Sequence, residues 1–190
     1  MIRFTVLLDP AESQKLIDYL GQNLGVRYTV VRNGNGSLLF EAEIELNNGG
    51  DEKIASTDWE LFLCHIRLIE PATIRPNGAE LGTSGFKAFH LNGCLHKIVP
   101  SVGFTELLPG QTVTIAFQAQ YWQVAITDVM PNWYVVTSGA TPAVIKSTAG
   151  ESMDFVAPFT TPEQLKRVPG DRFKPFTAEH RFDLNSNVKK

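Results

Sequence analysis

No stretch of this 190-residue sequence approaches the roughly 18 consecutive apolar residues a membrane-spanning helix needs, so no span is expected. Cysteine is scarce. Cys64 and Cys94 are too few for a disulfide-rich scaffold, and neither lies in the C-x-x-C pair of a redox or zinc motif. By themselves they read as two buried small hydrophobes, with a single disulfide as the alternative if their strands are neighbours. The body lacks a dense Lys/Arg run and the net charge is −3, which argues against nucleic acid as the main partner. There is no G-x-S-x-G and no P-loop, and Gly34-x-Gly36 sits in a polar turn without a helix behind it. His65, His90, His96 and His180 show no helical metal spacing, so neither a metal nor a cofactor is expected. Length is also short: a (β/α)₈ barrel takes about 250 residues, so no barrel enzyme fits. The apolar run before Asp9-Pro10 is too short for a signal peptide, leaving a cytosolic protein or a mature or cloned fragment.

What is present is ordinary globular material, 43% hydrophobic and 19% charged, enough for one domain plus extras. The charge is uneven: residues 1–160 carry −6 and residues 161–190 carry +3. The last thirty residues therefore read as a separate basic segment.

Asp9-Pro10-Ala11-Glu12 opens a helix with an acceptor at the N-cap and proline in the first turn. Leu16, Ile17, Leu20 and Leu24 fall on one face, and Gly25 reads as its C-terminal cap. From Val26 the period changes to two, through Val31 and the turn cluster Asn33-Gly34-Asn35-Gly36. Leu38, Phe40, Ala42, Ile44 and Leu46 alternate with an outer face carrying Glu41, Glu43 and Glu45. Trp59 to Ile69 is an almost continuous apolar run that reads as one central strand covered on both sides. Phe86–Leu91 and Cys94–Val99 flank Asn92-Gly93, the signature of a tight hairpin that sets His90 facing His96. Val113, Ile115, Phe117, Ala119 and Tyr121 point one way; Trp133–Val136 and Ala143–Ile145 add short strands. The fold expected is all-β, a two-sheet antiparallel sandwich with one leading helix, and a barrel is the alternative.

The chemistry-bearing residues are few. His65, within the apolar run, reads as a core histidine, and Glu41, Glu43 and Glu45 as a solvated face. Asp128 lies among Tyr121, Trp122, Trp133 and Tyr134. It is either an acid binding sugar hydroxyls beside stacking rings or a corner residue capping backbone amides. Strand parity puts Tyr121 inward and Trp122 outward, with Trp59 at a strand start.

Trp59-Glu60-Leu61-Phe62-Leu63-Cys64-His65-Ile66-Arg67-Leu68-Ile69-Glu70-Pro71 resembles a signature of the N-terminal domain of bacterial chitobiases and related β-N-acetylhexosaminidases. Phe89–Pro100, Leu108-Pro109-Gly110-Gln111, Tyr121-Trp122-Gln123, Asp128–Val135, Asp154–Phe159 and Gln164–Arg167 follow in the same order. Asp171 and Arg181-Phe182 continue the pattern, and Met1 to Glu12 lie outside it. The resemblance implies a non-catalytic, immunoglobulin-like sandwich similar to cellulose-binding modules, followed in the family by a small α/β domain and a catalytic barrel that removes terminal N-acetylglucosamine. The barrel's Asp-Glu pair has no counterpart in Asp51-Glu52, which lies in a polar turn.

The expected layout is a helical lead-in over 1–25, the sandwich over 26–159, and a basic strap over 160–190 leading towards a catalytic domain of the same parent chain. Two roles compete. One is binding of N-acetylglucosamine-containing glycans through Trp122, Trp133 and Trp59 with Asp128. The other is interdomain support, with the same rings packed inside. A free-standing lectin or adhesion module is the alternative to both. The resemblance further implies an exported parent, periplasmic or extracellular.

Overall fold

The computed structural model describes residues 9–34, 38–55, 57–71 and 75–166. Helix α1 (Pro10–Asn23) starts as its sequence requires, with the Asp9 carboxylate accepting from the Ala11 N–H at 2.7 Å. Ile17 and Leu20 are fully buried in the core, each contributing about 1.5–3 kcal/mol. The helix stops where the glycine signal puts it, with Leu24 as C-cap and Gly25 next, but without the left-handed glycine turn. Leu24 is already extended and begins β1 (Leu24–Arg32), so Gly25 is a strand residue rather than a cap. The cause is the core pattern: Leu24, Val26, Tyr28 and Val30 alternate inward from that point.

Two antiparallel sheets face each other. One has the order β1, β2 (Leu39–Asn48), β8 (Thr112–Gln120), β4 (Ile69–Glu70). The other runs β10 (Ala143–Val144), β9 (Tyr134–Val136), β3 (Glu60–Cys64), β7 (Leu95–Pro100), β6 (Phe86–Asn92), β5 (Ala79–Glu80). Inward Phe40, Ala42, Ile44 and Leu46 of β2 meet inward Leu61 and Leu63 of β3 across one continuous core. This is the all-β sandwich the strand pattern calls for. The edge at β1 is closed by residues 153–157, whose Phe155 and Ala157 exchange backbone hydrogen bonds with Tyr28 at 2.8 Å. Gly21 lets α1 approach β10 closely, because a Cβ there would stand 2.8 Å from that of Ala143.

The apolar run from Trp59 to Ile69 is not one strand. It forms β3 in one sheet, turns at His65–Leu68, and re-enters the other sheet as β4. Its continuous hydrophobicity reflects a crossing between layers, not a strand covered on both faces. The hairpin is shifted too: Asn92 pairs with Leu95, so the loop residues are Gly93 and Cys94, and a bulge lies between His90 and Asn92. Gly93 supplies the positive φ of 49°. The shift leaves Cys94 at the tip beside Cys64 at the end of β3, and the two form a disulfide with Cα atoms 4.9 Å apart. The reading of two reduced, buried thiols is thereby corrected.

Candidate functional site

Trp59 and Trp133 are packed into the core. Trp133 is fully buried, donates its Nε1–H to the Met130 carbonyl at 2.8 Å and packs edge-on against Phe155. Trp59 is 2% exposed and packs against Phe86 and Phe104. Both are core residues, which removes them from the candidate ring set. Trp59 shares the parity of inward Leu61 and Leu63, and Trp133 that of inward Val135, but where both parities are apolar, alternation does not say which side is the core.

Trp122 and Asp128 are brought together, and the agent is Arg67. Its guanidinium lies 5.7 Å from the centroid of the Trp122 ring, and its Nε is 3.4 Å from Asp128 Oδ2. Asp128 ends the 3₁₀ turn Ile126–Asp128, and its carbonyl accepts from the Ile66 N–H at 2.8 Å. Met130 N–H donates to the Cys64 carbonyl at 2.9 Å, so the turn carrying Asp128 is stitched to the end of β3. Tyr121 completes the cluster, edge-on to Trp122 at 5.9 Å. Parity predicted Tyr121 inside. Instead its φ of 67° ends β8 and swings the ring out to 48% exposure, leaving Trp122 half-buried. Arg67 was missed by the sequence reading, and Tyr121 was named among the rings near Asp128 but placed inward. A lone cation inside an apolar run was the available signal for Arg67; nothing local marks the turn at Tyr121.

Beneath the cluster lies a buried polar network. The Tyr28 hydroxyl is 2.9 Å from His65 Nε2 and donates to Gln123 Oε1. Asn33 accepts from the Gln123 N–H and donates to its carbonyl, both at 2.8 Å, and also donates to the Gln164 carbonyl. Gln164 sits in the short helix α2 (Pro162–Leu165) and donates to the Val30 carbonyl at 2.8 Å. Among the described residues no buried side-chain nitrogen or oxygen lacks a partner, as a rigid polar core demands. Burial drives the His65 pKa down to about 3 and that of His96 to about 4, so both rings are neutral. Burial, followed by the nearby Asp128 charge, raises that of Tyr28. His90 and His96 do face each other across the hairpin, with centroids 5.0 Å apart. Among the described residues, no three His, Cys, Asp or Glu side chains are grouped as metal ligands.

A partly exposed tryptophan, a guanidinium and a carboxylate held on a rigid end of a β-sandwich can stack on an apolar sugar face while donating to and accepting from its hydroxyls. That is the equipment of a non-catalytic carbohydrate-binding domain. The chain belongs to the family described as "Putative carbohydrate binding domain", whose profile matches residues 23–179. The N,N'-diacetylchitobiase of Vibrio harveyi is 29% identical over 191 residues, covering 94% of this chain and 20% of that protein. The chain thus spans about a fifth of that relative's length. Among solved structures, the chain is similar to a GH20 exo-β-N-acetylglucosaminidase of Vibrio harveyi in complex with N-acetylglucosamine. The TM-score there is 0.44 at 16% identity, over 68% of this chain and 19% of that one. It is also similar to a CBM3b domain of the scaffoldin ScaA of Acetivibrio cellulolyticus, with a TM-score of 0.41 at 12% identity, over 65% and 94%.

Proposed function

We propose that this chain is the N-terminal accessory domain of a chitobiase-like β-N-acetylhexosaminidase, and that it holds N-acetylglucosamine-containing glycans at Trp122, Arg67, Asp128 and Tyr121. The observation that carries the site is the Trp122 ring lying beside an ion pair that is itself anchored to β3. The rings supply stacking area, and Arg67 and Asp128 supply a donor and an acceptor for hydroxyl and acetamido groups. The lengths of the similar proteins support a larger parent that carries the hydrolytic domain. The Cys64–Cys94 disulfide supports export to the periplasm or the cell exterior, where such bonds persist. Within the parent, residues 1–25 serve as lead-in, 26–159 as the sandwich and 160–190 as the strap, of which 1–8 and 167–190 lie outside the described residues.

The test is an NMR titration of the ¹⁵N-labelled chain with chitooligosaccharides. The Trp122 indole N–H resonance should shift, and Trp122→Ala should weaken binding by about 1.4 kcal/mol, roughly tenfold in Kd. No shift at Trp122 at saturating sugar defeats the binding site. Release of a chromophore from an N-acetylglucosaminide by this chain defeats the accessory role.

A further inference from the structure

The two outer faces of the sandwich differ in kind. On the four-stranded sheet the outward residues of β2 and β8 are polar except for Leu39 and Ala116, and include Glu41, Glu43, Glu45, Thr112, Thr114 and Gln118. That is what a solvated sheet face looks like. The six-stranded sheet breaks the pattern, because its outward positions include Phe62, Phe89, Val99, Tyr134 and Val136. Antiparallel strands that are apolar on both faces are built to be covered on both.

Cross-strand register sets Val144, Tyr134, Phe62, Lys97 and Phe89 in one row. From Tyr134 to Phe89 the row crosses three inter-strand gaps, about 14 Å. Beside it a groove of about 750 Å³ opens between Glu60, Val99, Val136 and Phe89. The geometry of the rings decides between a sugar and a protein as its cover. Phe62 and Tyr134 are parallel to within 5° with centroids 5.0 Å apart. Rings lying side by side in one plane cannot approach so closely, so these two are stacked on each other. The face of Phe89 carries the Lys97 ammonium at 5.1 Å, and that ammonium is tied to Glu60 at 2.7 Å. The ring faces are directed to partners within the row rather than presented as a flat plate for a sugar. What remains outward is an apolar ridge with one fixed ion pair and a groove alongside, the composition of a protein–protein interface core.

The location of the last described helix indicates what covers it. α2 packs against β1, and β1 lies on the β10 side of the sandwich, where Ser147 Oγ accepts from the Val26 N–H and Gly21 touches Ala143. Lys166, the last described residue, therefore stands on the side on which the row begins, at Val144 and Tyr134. The Vibrio harveyi chitobiase named above is about five times longer than this chain, so a parent of that kind has a following domain to seat there. We infer that the outer face of the six-stranded sheet is the docking face for the next domain of the parent chain, with Tyr134, Phe62 and Phe89 at its centre. The inference rests on the accessory-domain reading but not on the Trp122 sugar site.

Hydroxyl-radical footprinting of this chain and of the full-length product of its gene tests it. In the full-length protein the modification rates of Tyr134, Phe62 and Phe89 should fall several-fold, while that of Tyr121 stays the same. Equal rates for Tyr134 and Phe62 in the two proteins overturn the docking face and leave the accessory reading intact. Protection of Tyr134 by chitooligosaccharide in the isolated chain overturns it in favour of a glycan, and protection that tracks dimerisation in sedimentation overturns it in favour of a second copy. A reading frame that closes at Lys190 removes the accessory reading itself.

Discussion

Lowering the pH from 7 to 5 should remove about 4 kcal/mol of stability through two histidines that the fold keeps neutral. His65 is fully buried and hydrogen-bonded to Tyr28; His96 is buried beside it, with ring centroids 6.5 Å apart. Burial lowers their pKa values to about 3 and about 4, against an ordinary histidine value of about 6.5 in the unfolded chain. Because the folded values are depressed, the stabilisation is complete above the unfolded value. It is lost as the pH falls below about 6.5, since the unfolded chain takes up protons that the native rings refuse. Linkage gives about 2 kcal/mol for each ring at pH 5, a large part of the 5–15 kcal/mol that typically separates folded from unfolded. The loss runs on to pH about 4 for His96 and about 3 for His65. Urea unfolding at pH 7, 6 and 5 reads it directly. His65→Gln should roughly halve the drop between pH 7 and 5. Should that variant fail to fold, the His65 ring protons of the native protein, followed by NMR, should not titrate between pH 7 and 5. A native His65 titrating near its ordinary value, or identical pH slopes in the two proteins, would refute the burial argument.

Three further outcomes follow from the same structure. The Cys64–Cys94 bond closes a separation of 30 residues, so Cys64→Ser with Cys94→Ser should cost about 3.6 kcal/mol by loop entropy, measured by chemical denaturation. Trp133→Ala should lose about 3–5 kcal/mol by leaving a cavity, whereas Trp122→Ala, at a partly exposed ring, should lose less; melting temperatures separate the two. Where Trp133→Ala still folds, chitooligosaccharide titration should show binding retained, because that ring lies in the core and not in the sugar site.

The strands of β2 and β8 were legible because period-two alternation is a local property: Phe40, Ala42 and Ile44 face in wherever that strand is placed. The start of α1 was legible for a similar reason, since Asp9 and Pro10 act on the backbone next to them. The conformation in which α1 ends was not. Gly25 is permissive of a cap, but Leu24 gains more by entering the core of the first sheet. Half of the candidate site was within reach. Trp122 and Asp128 stand six residues apart, while Arg67, which joins them, comes from another part of the chain.

By itself, then, the sequence determined an all-β chain with one leading helix, an acidic sheet face, and an ordered set of motifs sufficient to place it in its family. Those features depend on residue type and spacing along the chain. Which tryptophans are core, that Cys64 meets Cys94, that Tyr121 turns outward and that Phe62 stacks on Tyr134 were decided only by the tertiary structure. Each depends on which strands become neighbours and in what register, and a one-residue shift at the hairpin or at the end of β8 is enough to reverse the outcome.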